Sequence, residues 1–188
     1  VAVPSQDMVL GIYYLTQERP GVKGEGKFFK SVNEAILAYE NGVITLHSKI
    51  KVRMTKKLAD GTEKSEIIES TLGRFIFNEI IPQDLGFVDR SIPENEMKLE
   101  IDFLVAKKQI KQILEKVINI HGATKTAEVL DDVKAMGYKF STRAAMTVSI
   151  SDMTVPPQKP EMIAQAQDTV DRITRQYKRG LITEEERY

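Results

Sequence analysis

An apolar repeat near the C-terminal end most constrains what this chain can fold into. The repeating residues are Ile163, Ala166, Val170, Ile173 and Tyr177. Their spacing alternates between three and four residues, which is the seam of a coiled coil. Polar and charged residues fill the positions between them, as expected on the outer face of such a helix. The pattern predicts a long helix that presents an apolar stripe to a second helix.

The residues around this helix predict one arm of a helical hairpin. Three prolines, Pro156, Pro157 and Pro160, end the preceding element. Gly180 follows the last turn, and Thr183-Glu-Glu-Glu186 is a capping box that opens another helix. The second helix has barely begun when the sequence ends, and the first residue is Val1 rather than Met. We therefore interpret the sequence as a piece of a longer chain, and we name residues 161–188 the arm.

Composition narrows the classes of protein that remain. The chain has 188 residues, no cysteine, and 27 basic against 27 acidic side chains. The missing thiols exclude disulfides and thiolate metal sites, and the zero net charge argues against a surface that binds nucleic acid mainly through phosphates. Neither a signal peptide nor an apolar run of about 20 residues is visible. We expect a cytoplasmic protein that does not enter the membrane.

The N-terminal region predicts a helix that packs closely against another element. Ser5 is a suitable N-cap, and the helical apolar stripe consists of Met8, Val9, Ile12, Tyr13 and Leu15. Gly11 lies inside this helix, where glycine costs about 1 kcal/mol relative to alanine. We therefore expect Gly11 to allow the close approach of another backbone or helix. Gln6 and Asp7 in the first turn are interpreted from their chemistry as support for the cap.

Patterns along the rest of the chain predict an α+β fold that is mostly helical, with a small antiparallel hairpin and a C-terminal projecting helix. The first half predicts a helix from the capping box Ser31-Val-Asn-Glu34 to Asn41-Gly42. A hairpin follows, with a strand Val43–Met54, a turn at Asp60-Gly61 and a return strand Glu63–Glu69. A further helix is predicted from Thr71 to Pro82. The second half predicts a helix ending at His121-Gly122, another from Thr124 to Gly137 and a short strand around Met146–Ser151. Residues 83–95 are the best boundary, which suggests domains over 1–90 and 91–188.

No catalytic constellation emerges from these patterns. His47 could be a ligand or a base, but no cluster of Cys, His or carboxylate surrounds it in sequence, so a structural role is favoured. His121, beside a helix end, is also interpreted as structural. Basic residues on the predicted strand (Lys49, Lys51, Arg53, Lys56 and Lys57) leave a small nucleic-acid-binding protein as a weak hypothesis. A free-standing helical adaptor that pairs through the arm is the stronger alternative.

Longer motifs resemble the β′ (largest) subunit of bacterial RNA polymerase over essentially the whole chain. The segments that carry the resemblance include Val3-Pro-Ser-Gln-Asp-Met-Val-Leu-Gly-Ile-Tyr-Tyr-Leu-Thr16, Gly24-Glu-Gly26, Ile50-Lys-Val-Arg53, Thr71-Leu-Gly-Arg74, Ser151-Asp-Met153, Arg179-Gly-Leu181 and Glu186-Arg-Tyr188. One departure is Arg143-Ala-Ala145, where the family usually has a Ser-Gly pair. The resemblance implies an internal, non-catalytic segment of a DNA-directed RNA polymerase, a nucleotidyltransferase.

The resemblance also implies a location within the polymerase. Residues 1–90 resemble its pore region and 91–188 its funnel region, which form much of the secondary channel for nucleoside triphosphate entry and RNA 3′-end extrusion. Gln6 would lie near the active centre. The arm resembles the rim coiled coil on which factors of the Gre and DksA type dock. The docking residues implied are Tyr177, Gly180, Leu181, Thr183, Glu186 and Arg187.

The same resemblance implies cofactors and partners for the whole enzyme. Its catalytic magnesium and its zinc would be bound by residues absent from this chain, so the segment alone should bind neither and should be inactive. The implied partners are the β, α, ω and σ subunits, with DNA and RNA contacted through the whole enzyme and no membrane.

Overall fold

The predicted α+β class is confirmed by the computed structural model, which describes residues 6–58 and 60–154, with side chains described as far as Met146. The helices are α1 (Gln6–Thr16), α2 (Val32–Glu40), α3 (Leu72–Asn78) and α4 (Lys107–Thr154), and the strands are β1 (Phe28–Phe29), β2 (Lys49–Lys57) and β3 (Glu63–Thr71). A single 3-10 turn spans Pro93–Asn95 in this part of the chain. Helices predominate, and the strands form one small sheet. The arm lies outside the described residues.

The sheet has the order β1-β2-β3. The predicted hairpin is confirmed, because β2 and β3 pair antiparallel from Lys49 opposite Thr71 to Lys57 opposite Glu63. Strand β1 adds a parallel edge, with Phe28 opposite Lys51. This strand was not predicted, since two residues are too short to show an alternating pattern.

Strand β2 begins later than the alternation predicts, and the predicted start at Val43 is wrong. Ile44 and Leu46 are buried, yet they lie in turns. The Ser48 hydroxyl accepts a hydrogen bond from the Thr45 main-chain N–H and donates one to the Lys23 carbonyl oxygen, 2.6 Å away. Side-chain bonds of this kind favour turns over a strand ladder. Burial at every second position therefore arises here without extended backbone.

Both predicted caps within the described residues are confirmed. The Ser31 hydroxyl accepts a hydrogen bond from the Glu34 main-chain N–H at 3.1 Å, and it starts α2. The Thr71 hydroxyl accepts one from the Arg74 main-chain N–H at 3.3 Å, and it starts α3. Each cap satisfies a donor that has no partner within its helix.

The connection from α3 to α4 is held by buried polar side chains. The Asn78 side chain donates to the Ile101 carbonyl oxygen at 2.7 Å and accepts from the Ile101 N–H at 3.0 Å. The fully buried Glu100 carboxylate accepts from the Phe87 N–H at 2.7 Å and pairs with Arg90 at 3.2 Å. These bonds take the place of a helical or strand ladder, because buried main-chain groups need partners. The predicted boundary at 83–95 therefore lies in a stretch that is bonded to its neighbours.

Helix α4 confirms one predicted break and corrects another. Gly122 has φ 85° and ψ −179°, so the helical geometry is interrupted there, as predicted for His121-Gly122. The predicted end at Gly137 and the predicted strand at Met146–Ser151 are both wrong, because α4 continues to Thr154. Its buried positions, Val133, Phe140 and Ala144, keep a helical spacing across Gly137. A short alternation of apolar residues cannot override a helix whose inward stripe continues.

Two compact units divide the described chain, and the division falls within α1 and within α4. Within the described residues, the first unit is built from residues 6–14 and 130–154, and the second from residues 15–58 and 60–129. Met8, Ile12 and Val133 are core residues of the first unit, whereas Ile50 and Phe75 are core residues of the second. The assignment of 1–90 to a pore region and 91–188 to a funnel region is a division by role, and it stays a prediction.

Candidate functional site

Helix α1 presents one exposed face that begins with Gln6. Gln6 itself is exposed, and Leu10 and Tyr13 are 42% and 37% exposed. Steps of four and three residues place the three side chains on one side of a helix. This face therefore combines an amide with two large apolar groups, a composition suited to contact with other molecules. Sequence reasoning identified Gln6 but did not single out Leu10. It also placed Tyr13 in the apolar stripe with Met8 and Ile12, which is wrong because Tyr13 lies on the exposed face.

The opposite face of α1 is packed inside the first unit. Met8 and Ile12 are fully buried, and Asp7 in the first turn is only 4% exposed. A Cβ placed on Gly11 would lie 1.7 Å from the Gly137 carbonyl oxygen, and one placed on Gly137 would lie 2.7 Å from the Met8 carbonyl oxygen. The expectation that Gly11 allows another helix to approach is confirmed. Its partner, Gly137, had been interpreted as a helix end.

Arg74 links three segments of the second unit. Its Nε donates to the Thr16 carbonyl oxygen at 3.0 Å, and its Nη1 lies 3.4 Å from Asp102 Oδ1 and 3.5 Å from Glu18 Oε1. The guanidinium thus satisfies a carbonyl at the C-terminal end of α1, where positive charge is favourable. Sequence reasoning assigned no contact to Arg74 and missed this role. The Thr71-Leu-Gly-Arg74 motif was the signal that could have found it.

Two basic residues of β2, Lys49 and Arg53, contact neighbouring side chains. Lys49 Nζ lies 3.8 Å from Glu69 Oε1 and 4.0 Å from Glu18 Oε2. The Arg53 guanidinium lies 6.0 Å from the centre of the Phe28 ring. Pairs this exposed contribute about 0–1 kcal/mol each. The arrangement is that of a solvated sheet face with cross-strand pairing, which favours the structural interpretation over a nucleic-acid surface.

The two histidines occupy unrelated positions in the second unit. His47 is buried, its main-chain N–H donates to the Thr45 hydroxyl at 3.1 Å, and its carbonyl oxygen accepts from the Arg19 N–H at 3.1 Å. His121 Nε2 lies 2.7 Å from Asp84 Oδ1, near the break in α4. Within residues 6–58 and 60–154, no three His, Asp or Glu side chains come together as metal ligands. The described part of the chain therefore contains no cluster of side chains at which binding of the magnesium or zinc expected of the whole enzyme could be assessed.

The shifted pKa values within the described residues belong to local contacts. Hydrogen bonds from Thr62 lower the pKa of Asp60 at the hairpin turn, and hydrogen bonds from Ser91 lower the pKa of Asp89. The hydrogen bond to Glu96 raises the pKa of Lys64, and partial burial raises the pKa of Glu79. None of these four shifts is caused by another of the four groups, whereas the two members of an acid–base pair shift each other's pKa.

The predicted docking residues of the arm lie outside the described residues. They are Tyr177, Gly180, Leu181, Thr183, Glu186 and Arg187. Their role stays a prediction. Among the helices that are described, none combines the length and the apolar character that crossing a bilayer requires.

Comparison with known proteins identifies the family. The family model described as "RNA polymerase Rpb1, domain 3" matches residues 1–153. The chain belongs to this family. The resemblance noted from the Pro-Ser-Gln-Asp segment and the later motifs is thereby confirmed, since whole-chain similarity to β′ subunits accompanies the family match.

Relatives of this Rpb1 domain 3 chain are β′ subunits of DNA-directed RNA polymerase. The chain is 70% identical to that of Lachnoclostridium phytofermentans, 60% to that of Acetivibrio thermocellus and 55% to that of Thermoanaerobacter pseudethanolicus. Each match covers all 188 residues of this chain but only 15% or 16% of the relative. The chain thus corresponds to about one sixth of the length of these β′ subunits.

Proposed function

We propose that this chain acts as an internal segment of a bacterial RNA polymerase β′ subunit and helps to form the secondary channel. The observation that carries the proposal is the match of all 188 residues, at up to 70% identity, to proteins named as that subunit. Nucleoside triphosphates would enter along this channel, and the 3′ end of backtracked RNA would leave through it. The exposed face of α1 supports a channel-lining role, because it offers both an amide and apolar surface.

In this proposal the segment lines the secondary channel and supplies no catalytic group. The whole enzyme carries out DNA-templated RNA synthesis, and metal-assisted nucleotidyl transfer takes place on residues outside this chain. The β, α, ω and σ subunits are the proposed neighbours, and DNA and RNA are contacted through the assembled enzyme in the cytoplasm. The arm is proposed to dock secondary-channel factors of the Gre and DksA type.

Gln6 offers the first test of the proposal. Gln6→Ala in the full-length subunit, assembled into polymerase, should raise the KM for nucleoside triphosphates about tenfold, the effect of one lost polar contact. Initial rates of primer extension against triphosphate concentration give KM and kcat. Leu37→Ala is the control, since Leu37 is 58% exposed on α2 and has no proposed role. Equal KM values for both variants and the parent enzyme would remove Gln6 from the proposed channel site.

A further inference from the structure

The contact between α1 and α4 in the first unit leaves no room for side chains. A Cβ on Gly11 would lie 1.7 Å from the Gly137 carbonyl oxygen and 2.8 Å from the Ser141 main-chain nitrogen. A Cβ on Gly137 would lie 2.7 Å from the Met8 carbonyl oxygen and 2.8 Å from the Met8 Cα. An ordinary van der Waals contact of a Cβ begins at 3.4 Å. The two backbones therefore touch directly, and each helix has its glycine at the point of contact.

Such a contact fixes the first turns of α1 on α4. A backbone in contact with another backbone cannot be repositioned by a change of rotamer, unlike a contact between flexible side chains. Met8 and Ile12, both fully buried, hold the same face of α1 against the unit core. Gln6 lies at the start of this helix and on its exposed side. Its position within the unit is thus set by the glycine contact.

We propose that Gly11 and Gly137 are positioning residues for nucleotide use, because their contact holds α1 so that Gln6 keeps its place in the channel. The inference rests on the proposed function, in which the face of α1 that carries Gln6 lines the channel. Neither glycine carries a side chain that could touch substrate. They act through α1, and an added methyl group at either position pushes α1 away from α4. A misplacement of about 1 Å near a reacting centre can cost about 100-fold in rate.

A double-mutant cycle on assembled polymerase tests this inference. The variants are Gly137→Ala, Gln6→Ala and the two combined, all in the full-length subunit, and kcat/KM for nucleoside triphosphates is measured by primer extension. Gly137→Ala is preferred to Gly11→Ala because its would-be methyl group overlaps less, 2.7 Å against 1.7 Å from the nearest backbone oxygen. We expect Gly137→Ala to lower kcat/KM at least tenfold. We also expect kcat/KM of the double variant to be no lower than that of the less active single variant, since the effects of two substitutions that act through one group are not additive.

Ser141→Ala is the matched control at the same contact. Ser141 is fully buried on α4, and its alanine variant leaves the backbone approach at Gly11 intact. We expect its kcat/KM to stay within about twofold of the parent enzyme. If Ser141→Ala lowers kcat/KM as much as Gly137→Ala, the loss is a general consequence of disturbing the core and the inference is wrong.

The remaining outcomes separate this inference from the proposed function. No effect of Gln6→Ala would contradict the proposed place of Gln6. A clear effect of Gln6→Ala with additive losses in the cycle, or with no loss in Gly137→Ala, would overturn the positioning role alone. Failure of Gly137→Ala to assemble while Ser141→Ala assembles would also overturn it, because the contact would then serve folding only.

Discussion

At the scale of single residues, a few buried polar groups determine the conformation that the sequence patterns could not predict. The connection between α3 and α4 contains prolines, glycine and charges, which in sequence are typical of a linker. In the structure Glu100 is buried and accepts hydrogen bonds from the main-chain N–H groups of Phe87 and Val88, while Arg90 donates to three carbonyl oxygens. The Glu100 bonds join residues 12 and 13 positions apart, so no local sequence pattern indicates them.

Glu100 is the residue whose loss should cost most in this connection. Glu100→Gln keeps the shape of the side chain, but it leaves Arg90 without its charge partner. It also weakens the two hydrogen bonds that the side chain accepts from the main-chain N–H groups of Phe87 and Val88. Breaking a buried ion pair costs about 3 kcal/mol, so we expect a loss of about that size in the free energy of unfolding. Urea denaturation of the chain measures it. Glu94→Gln, an exposed position in the 3-10 turn, should be neutral. Equal unfolding midpoints for both variants would show that Glu100 has no such role.

At the scale of helices and strands, prediction succeeded where side chains act on neighbouring backbone. The caps at Ser31 and Thr71 and the break at Gly122 are local, so the sequence alone indicates them. It failed where a distant element decides. Gly137 follows a predicted helix as a stop signal would, but the structure uses its missing side chain for contact with α1. A glycine that ends a helix and one that admits another helix look the same in sequence.

The arm is the element whose function can be tested by charge. Glu186 and Arg187 are the charged docking residues implied by the resemblance, and charge complementarity between binding partners mainly affects association rates and specificity. We expect Glu186→Lys or Arg187→Glu in assembled polymerase to weaken cleavage-factor docking about tenfold while elongation stays nearly unchanged. Factor-stimulated RNA cleavage and elongation rate are measured in parallel. Lys178→Glu, outside the implied docking set, is the control. A parallel loss of cleavage and elongation would contradict a docking role.

At the scale of the whole molecule, the chain spans about one sixth of the length of the β′ subunits that it matches, and the proposal places its surfaces within such a subunit. The exposed Leu10 and Tyr13 beside Gln6 suit a helix that faces a channel within a larger assembly. Sequence predicted the class of the fold and, through its motifs, the family. It could not indicate which face of α1 is open, because that depends on the contact of Gly11 with α4.

Cross-linking of RNA tests the channel-lining role of α1 most directly. A photoreactive phenylalanine analogue replaces Leu10 in the full-length subunit, and a second variant carries it at Leu37 as a control of similar or greater exposure. Each polymerase is assembled on a transcript whose 3′ end has been forced to backtrack and carries a radioactive label. We predict that the labelled 3′ end becomes cross-linked to position 10 and not to position 37. Cross-linking at position 37 alone, or at neither position while cleavage factors still act on the backtracked complex, would contradict the account.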